Sequence, residues 1–334
     1  IDGYSGVTAF TVLSARNGAE REDIDAIKFN APRFFTTQER AVTSQDYINL
    51  TMAKFPQFQA VAAYGGEDMI PPQYGKVAIA LKPYGSTAIV SDALKNQVVQ
   101  YLTLKNLTTE PIVVDPDILY LKIASSVKFN TQQTTLGINT LRTNVKNAIV
   151  NFGETNLDKF GTDFSYSKLV STIDNVDESI VSNDTKIRLS KSWTPIAQMS
   201  NTNTFSYNNE LYHEEVLYEL PQGHDLAIKS SPFNYMSGNN VYTAYIGDNG
   251  LGTLKIYTDT VSGNVTTRVS LNDNAGTVNY YTGDVTVSAN VDSYTGSHIE
   301  LNAELYTKDI SIRRNAFLII SAADVSVTMV PVTE

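Results

Sequence analysis

The chain contains no cysteine. That excludes disulfides, thiolate nucleophiles and cysteine–zinc sites, and it suits assembly in a reducing cytoplasm. Histidine is scarce: His213, His224 and His298 are the three in 334 residues. His213-Glu214-Glu215 begins like a helical zinc-protease motif, but Leu217 stands where the second histidine must be. His298 beside Glu300 reads as a surface pair. No Gly-x-x-x-x-Gly-Lys phosphate loop and no Gly-x-Ser-x-Gly elbow occur. Gly247, Gly250 and Gly252 lack dinucleotide-fingerprint spacing and fit a hairpin turn. Asp115 and Asp117 flank Pro116 and read as a turn ahead of a strand rather than a calcium site. No apolar run approaches the roughly 20 residues of a membrane span. These absences predict a non-enzyme with no catalytic residue, cofactor or metal. Remote carboxylate pairs for glycoside hydrolysis are the one chemistry that spacing leaves open.

Positive charge is scarce toward the carboxy terminus. Residues 200–334 hold six Lys/Arg and 15 Asp/Glu, against 19 and 20 in residues 1–199. An acidic surface argues against nucleic acid as a partner and favours solubility. Hydrophobic content of 42% over 334 residues allows two or three domains with real cores. The chain opens at Ile1 rather than methionine, so the expectation is a fragment or a processed product, with an amino-terminal portion missing.

The stretch Asn17–Pro56 says most. Asn17 and Glu20 form a capping-box pattern, and Ile24, Ile27 and Ala31 then share a helical face. Pro32 is expected to end that helix. A basic, aromatic linker follows. Thr43 caps a second helix with Asp46 at the box position, Tyr47, Leu50 and Lys54 share a face, and Phe55-Pro56 closes it.

The order Gly-Ala-Glu (Gly18 to Glu20), acidic helix, Ala31-Pro32, basic turn and Arg40-Ala41-Val42-Thr43 leading to Asp46-Tyr47 resembles the baseplate J-like wedge proteins of contractile phage tails. Among these it is similar to the carboxy-terminal part of the large wedge subunits of T-even phages. The resemblance is sharp over about residues 15–60 and looser to residue 195. It implies a structural signature on Gly18, Glu20, Pro32, Arg40, Thr43, Asp46 and Tyr47, with no catalytic role. It further implies subunits paired within each wedge, wedges joined in a sixfold ring, and a part in the change that triggers sheath contraction. Partners are then a second copy and other wedge proteins. The location is the virion tail baseplate, assembled in the host cytoplasm.

Further along, 57–75 reads as a loop, and Val77, Ile79 and Leu81 as a strand. Ser91 caps a helix bearing Leu94, Val98, Tyr101 and Leu102. Leu119, Leu121, Ile123, Val127 and Phe129 alternate with polar residues on the clearest strand. Ile138, Leu141, Val145, Ala148, Ile149 and Phe152 keep helical spacing, with Gly153 as the expected stop. A short helix near Leu169–Ile173, capped by Ser165, and an extended run Ile180–Trp193 follow. Residues 198–210 read as a linker. Beyond it, turn signals at Asn249-Gly250, Ser262-Gly263-Asn264, Asn274-Ala275-Gly276, Thr282-Gly283-Asp284 and Thr295-Gly296-Ser297 separate short strands.

The expectation is a multidomain α+β protein. A helical segment spans 1–75, a small α+β sheet domain 76–197 and an all-β sandwich or barrel 198–334. Self-association is expected through the β-rich part, which has no helices of its own to cover its edges. Candidate interface residues are Tyr245, Tyr257, Tyr280, Tyr281, Arg313, Arg314 and Phe317. The alternative function is a carbohydrate-binding or carbohydrate-cleaving tail module, with tyrosines and Trp193 stacking on sugars.

Overall fold

The computed structural model describes residues 24–69, 71–84, 90–157, 159–263 and 265–332. Asn17, Gly18 and Glu20 lie outside them. The chain is mixed α+β, mostly sheet, and divides between Pro116 and Asp117. The expected boundaries near 75 and 197 are corrected, because strands pair across both of them.

In the first unit, helix α1 (Ile24–Thr37) runs through Pro32 rather than stopping there. Proline removes one donor from the ladder. The last turn is closed by Thr36 and Thr37 hydroxyls donating to the Arg33 and Phe34 carbonyls. The stop falls at Gln38-Glu39, both with left-handed φ of 47° and 58°. Helix α2 (Ser44–Lys54) starts at the expected capping box. The Asp46 N–H donates to Thr43 Oγ1 at 3.3 Å, and the Thr43 N–H donates to Asp46 Oδ2 at 2.8 Å.

Strand β1 (Phe58–Gly65) occupies the expected loop. Its small apolar residues do not alternate because both faces are largely covered. β1 pairs antiparallel with β2 (Lys76–Pro83). Helix α3 (Asp92–Thr103) follows, with Ser91 at its N-cap but making no side-chain cap bond. Strand β3 (Glu110–Val114) lies parallel to β2. Tyr47, Leu50, Phe58, Ile79, Leu81, Val98 and Leu102 are buried together between helices and sheet.

The second unit holds a 13-stranded sheet. Its first members are β4 (Asp117–Asn130) and β5 (Ile180–Trp193), which pair antiparallel. Between them in sequence lie helices α4 (Ile138–Asn156) and α5 (Tyr166–Asp174). Along β4 the buried residues alternate as the pattern predicted. Helix α4 runs past Gly153. That glycine is buried, and a Cβ there would lie 2.9 Å from Ile320, so it permits close packing rather than a stop. Ser165 makes no cap bond; Asp309 accepts from the Tyr166 N–H at 2.8 Å instead.

The expected linker contains β6 (Ser200–Ser206). Short strands β7 (Ile228–Ser230), β8 (Phe233–Ser237) and β9 (Asn240–Asp248) come next. Then come β10 (Thr253–Ser262) and β11 (Val265–Asn279). The expected turn at Asn274-Ala275-Gly276 lies inside β11. There the Thr286 carbonyl sits where a Cβ on Gly276 would fall. The chain ends with β12 (Asp284–Asn290), β13 (Ser293–Tyr294), β14 (Ile299–Glu304), β15 (Ala316–Ile319) and β16 (Val325–Val332).

The expected separate sandwich or barrel is also corrected. β14 pairs antiparallel with β5, and β15 and β16 both pair parallel with β4. The carboxy-terminal strands thus complete the sheet that β4 and β5 begin. Helix α4 packs on β15 and β16. The polar face carries Lys122 on Glu300 and Arg188 on Glu304 at 2.6 Å. On the opposite face, beside Leu189 and Trp193, the buried Lys191 holds Asp117 at 2.6 Å.

Candidate functional site

The segment 39–47 meets the turn that precedes β3, and among the signature residues Tyr47 makes that contact. The Ala41 N–H donates to the Lys105 carbonyl at 2.9 Å, and Lys105 Nζ holds Glu39 Oε2 at 2.8 Å. Asn106 organises the turn by accepting the Thr108 and Thr109 N–H groups on Oδ1 and donating to Thr109. The Tyr47 hydroxyl reaches Thr109 Oγ1 at 2.8 Å from a side chain that is 2% exposed. Thr43 and Asp46 therefore start the helix, and Tyr47 anchors it. Arg40 stands exposed, with no side-chain hydrogen bond or ion pair among the described residues, and Pro32 is an exposed residue within α1. The charged groups of this seam, Glu39 and Lys105, are engaged with each other, and its Tyr47 and Thr109 hydroxyls are paired.

The candidate interface residues divide. Tyr245, Tyr257, Tyr280 and Phe317 are buried within the chain, which removes them from any surface open to a partner. Tyr245 donates to Asp259 Oδ1 at 2.7 Å, and burial pushes its hydroxyl up to about 12. Phe317 lies edge-on to Phe160 at 5.3 Å. Tyr281, Arg313 and Arg314 are exposed. Trp193 is buried and donates from Nε1 to Asn203 at 3.1 Å, so it offers no face to a sugar.

Asp115 and Asp117 each have their own cation, Lys95 at 2.7 Å and Lys191 at 2.6 Å. His298 Nδ1 lies 2.9 Å from Ser297 Oγ. Among the described residues no cluster of three or more His, Cys, Asp or Glu is placed to hold a metal.

Sequence reasoning missed the role of the long irregular segment between β6 and β7. Its near end is fixed by the Leu211 N–H on the Tyr280 carbonyl at 2.7 Å and by Tyr212 and Glu210 pairing with the backbone of Glu304 and Tyr306. His213 locks it from above. Its Nε2 lies 2.9 Å from Glu210 Oε1 and its Nδ1 3.0 Å from the Glu214 carbonyl. Two acceptors require two N–H donors, which only the imidazolium supplies. The Glu214 carbonyl and then the Glu210 carboxylate raise its pKa above the ordinary value. Its ring stacks on Tyr306 at 5.2 Å and leans on Tyr281 at 4.6 Å.

Below lies Asp248, 1% exposed, accepting from the Ile228 N–H at 2.9 Å and the Tyr280 hydroxyl at 2.8 Å. Burial pushes the Asp248 carboxyl up, and burial with the neighbouring carboxylate pushes the Tyr280 hydroxyl up. At the far end, the Gln222 side chain pairs with both backbone groups of Arg268 at 2.8 and 3.0 Å, as a strand would. The only legible signal was the mixed acidic and aromatic composition of Glu210–Glu219.

Comparison with known proteins fits this division of the chain. Residues 43–114 match the family model "Baseplate structural protein gp6, C-terminal domain I", and residues 117–192 match "Baseplate structural protein gp6, C-terminal domain III". The chain is 24% identical over 290 residues to "Baseplate wedge protein gp6" of Enterobacteria phage T4, covering 85% of this chain and 40% of that protein. It thus spans two fifths of that relative's length. One solved structure, "Cryo-EM structure of the anti-feeding prophage (AFP) baseplate, 6-fold symmetrised", is similar at TM-score 0.37 and 14% identity over 49% of this chain and 37% of that one, which is too slight a likeness to carry an argument. The sequence matches are to structural proteins of a phage baseplate, and they point to no enzyme.

Proposed function

We propose that this chain is the carboxy-terminal part of a baseplate J-like wedge subunit in a contractile phage tail. In this reading it pairs with a second copy, contacts other wedge proteins in the baseplate ring, and takes part in the rearrangement that triggers sheath contraction. It assembles in the host cytoplasm. The observation that carries the reading is the pair of consecutive family matches, which meet at the point where the chain divides into two units. The anchoring of Tyr47 on Thr109, beside the Glu39–Lys105 ion pair, supports a mechanical role. Tyr281, Arg313 and Arg314 remain the candidate contact residues of the original set. The carbohydrate-binding alternative draws no support from the buried Trp193.

The experiment is to block expression of the protein during infection and image the lysate by electron microscopy. Isolated wedge components without complete baseplates are the expected result. Normal contractile particles lacking the protein would overturn the reading.

A further inference from the structure

Between its two anchors, the irregular segment lifts a short crest into solvent. Val216 is 76% exposed, and Tyr212, Leu217 and Tyr218 are also exposed. Tyr281 at 61% and Tyr306 at 51% exposure flank the crest on the His213 side. Exposed apolar and aromatic groups held this close together mark an interaction surface. The crest is also pre-organised, because His213 pins one end and Leu220 and Gln222 pin the other. A fixed loop loses less freedom on binding than a loose one.

Charge names the occupant. Residues Glu210–Asp225 contain five carboxylates and no lysine or arginine. Glu210 is engaged by His213 and Glu219 by Lys255 at 3.3 Å, while Glu215 lies exposed at the crest. Nucleic acid and anionic membrane are repelled by such a surface. A guanidinium group suits it, because its plane stacks on tyrosine while its fork of donors reaches a carboxylate; an ammonium does only the second.

We propose that the crest Tyr212–Glu219, with Tyr281 and Tyr306, docks an arginine-rich segment of a neighbouring protein. The identity of the neighbour as a baseplate component rests on the function proposed above; its chemistry does not.

Two measurements test this on the full-length protein. The first uses nona-arginine and nona-lysine as probes in fluorescence anisotropy. Nona-arginine is expected to bind, to weaken with salt, and to bind at least fivefold better than nona-lysine. The exposed double variant Glu215→Lys/Val216→Ser is expected to lose at least tenfold in affinity at an unchanged melting temperature. Equal affinities for both peptides, or for both proteins, would overturn the proposal.

The second places a thiol on the crest with Val216→Cys; these 334 residues hold no other, and the labelled peptide is mapped by mass spectrometry. Maleimide is expected to label it in the free protein and to be excluded in purified tail particles. Equal labelling in both overturns the docking surface while leaving the baseplate reading intact. Protection already in the free protein, lost on dilution, assigns the crest to a second copy and also overturns the proposal. Absence of the protein from particles overturns the baseplate reading alone, since the peptide measurement is independent of it.

Discussion

The Tyr47 hydroxyl meets Thr109 Oγ1 at 2.8 Å, across 62 residues of chain, and ties the second helix to the turn ahead of β3. Tyr47→Phe keeps the buried ring and removes this bond. The Thr109 hydroxyl retains Asn106 Nδ2 at 3.0 Å, so the expected loss is about 1 kcal/mol. Tyr47→Ala also empties the ring's site and is expected to cost about 3–5 kcal/mol. Urea denaturation followed by circular dichroism measures both. Equal losses for the two variants would mean that the ring contributes nothing beyond its hydroxyl.

Arg40 offers a contrast within the same signature. Its side chain is exposed. Arg40→Ala should therefore change stability by no more than about 0.5 kcal/mol. A melting curve checks this, and a large drop would reveal an intramolecular role. With stability preserved, an assembly defect would assign Arg40 to a subunit contact.

Val145 is fully buried on α4, in the same core as Leu119 and Leu121 of β4. Val145→Asp places a carboxylate there without a partner, which is expected to cost several kcal/mol. Chemical denaturation of the second unit's transition measures it. A wild-type midpoint would contradict the packing of α4 on the sheet.

His213 makes the crest's anchorage sensitive to pH. Its folded-state pKa is raised by the Glu214 carbonyl and the Glu210 carboxylate. The proton is therefore held more tightly in the folded chain. The stabilisation is full below the unfolded value of about 6.5 and is lost as pH rises through the higher folded value. Facing the ring are the Glu210 carboxylate and the Tyr280, Tyr281 and Tyr306 rings. Hydrogen-exchange protection of residues 210–220, taken relative to the intrinsic exchange rate at each pH, is expected to fall over that window, and His213→Gln should flatten the dependence. Unchanged protection across the window would remove the imidazolium from the anchor.

Much of the second unit was legible because its pattern is local. β4 alternates at period two and α4 repeats its apolar residues every three or four, so type and buried face followed, though not the end of α4. The capping box at Thr43 and Asp46 was legible for the same reason, being a bond between residues three apart. β1 was not legible. A strand covered on both faces shows no alternation, and its flanking glycines and prolines read as loop. Gly153 and Gly276 looked like terminators, but each is a place where another backbone or side chain comes close.

The sequence by itself determined the absence of thiol chemistry, the acidic carboxy-terminal half, the main helices and strands, and the signature that resembles a wedge protein. Tertiary structure alone decided where the chain divides, that β14, β15 and β16 complete the sheet begun by β4 and β5, and that Tyr245, Tyr257, Tyr280 and Phe317 belong to the interior while the crest at Val216 does not. The physical reason is the range of the interactions. Periodicity and capping act between residues a few positions apart and are written along the chain. Strand pairing and burial join residues more than a hundred positions apart, such as Arg188 and Glu304, and no local pattern states which partner each strand will find.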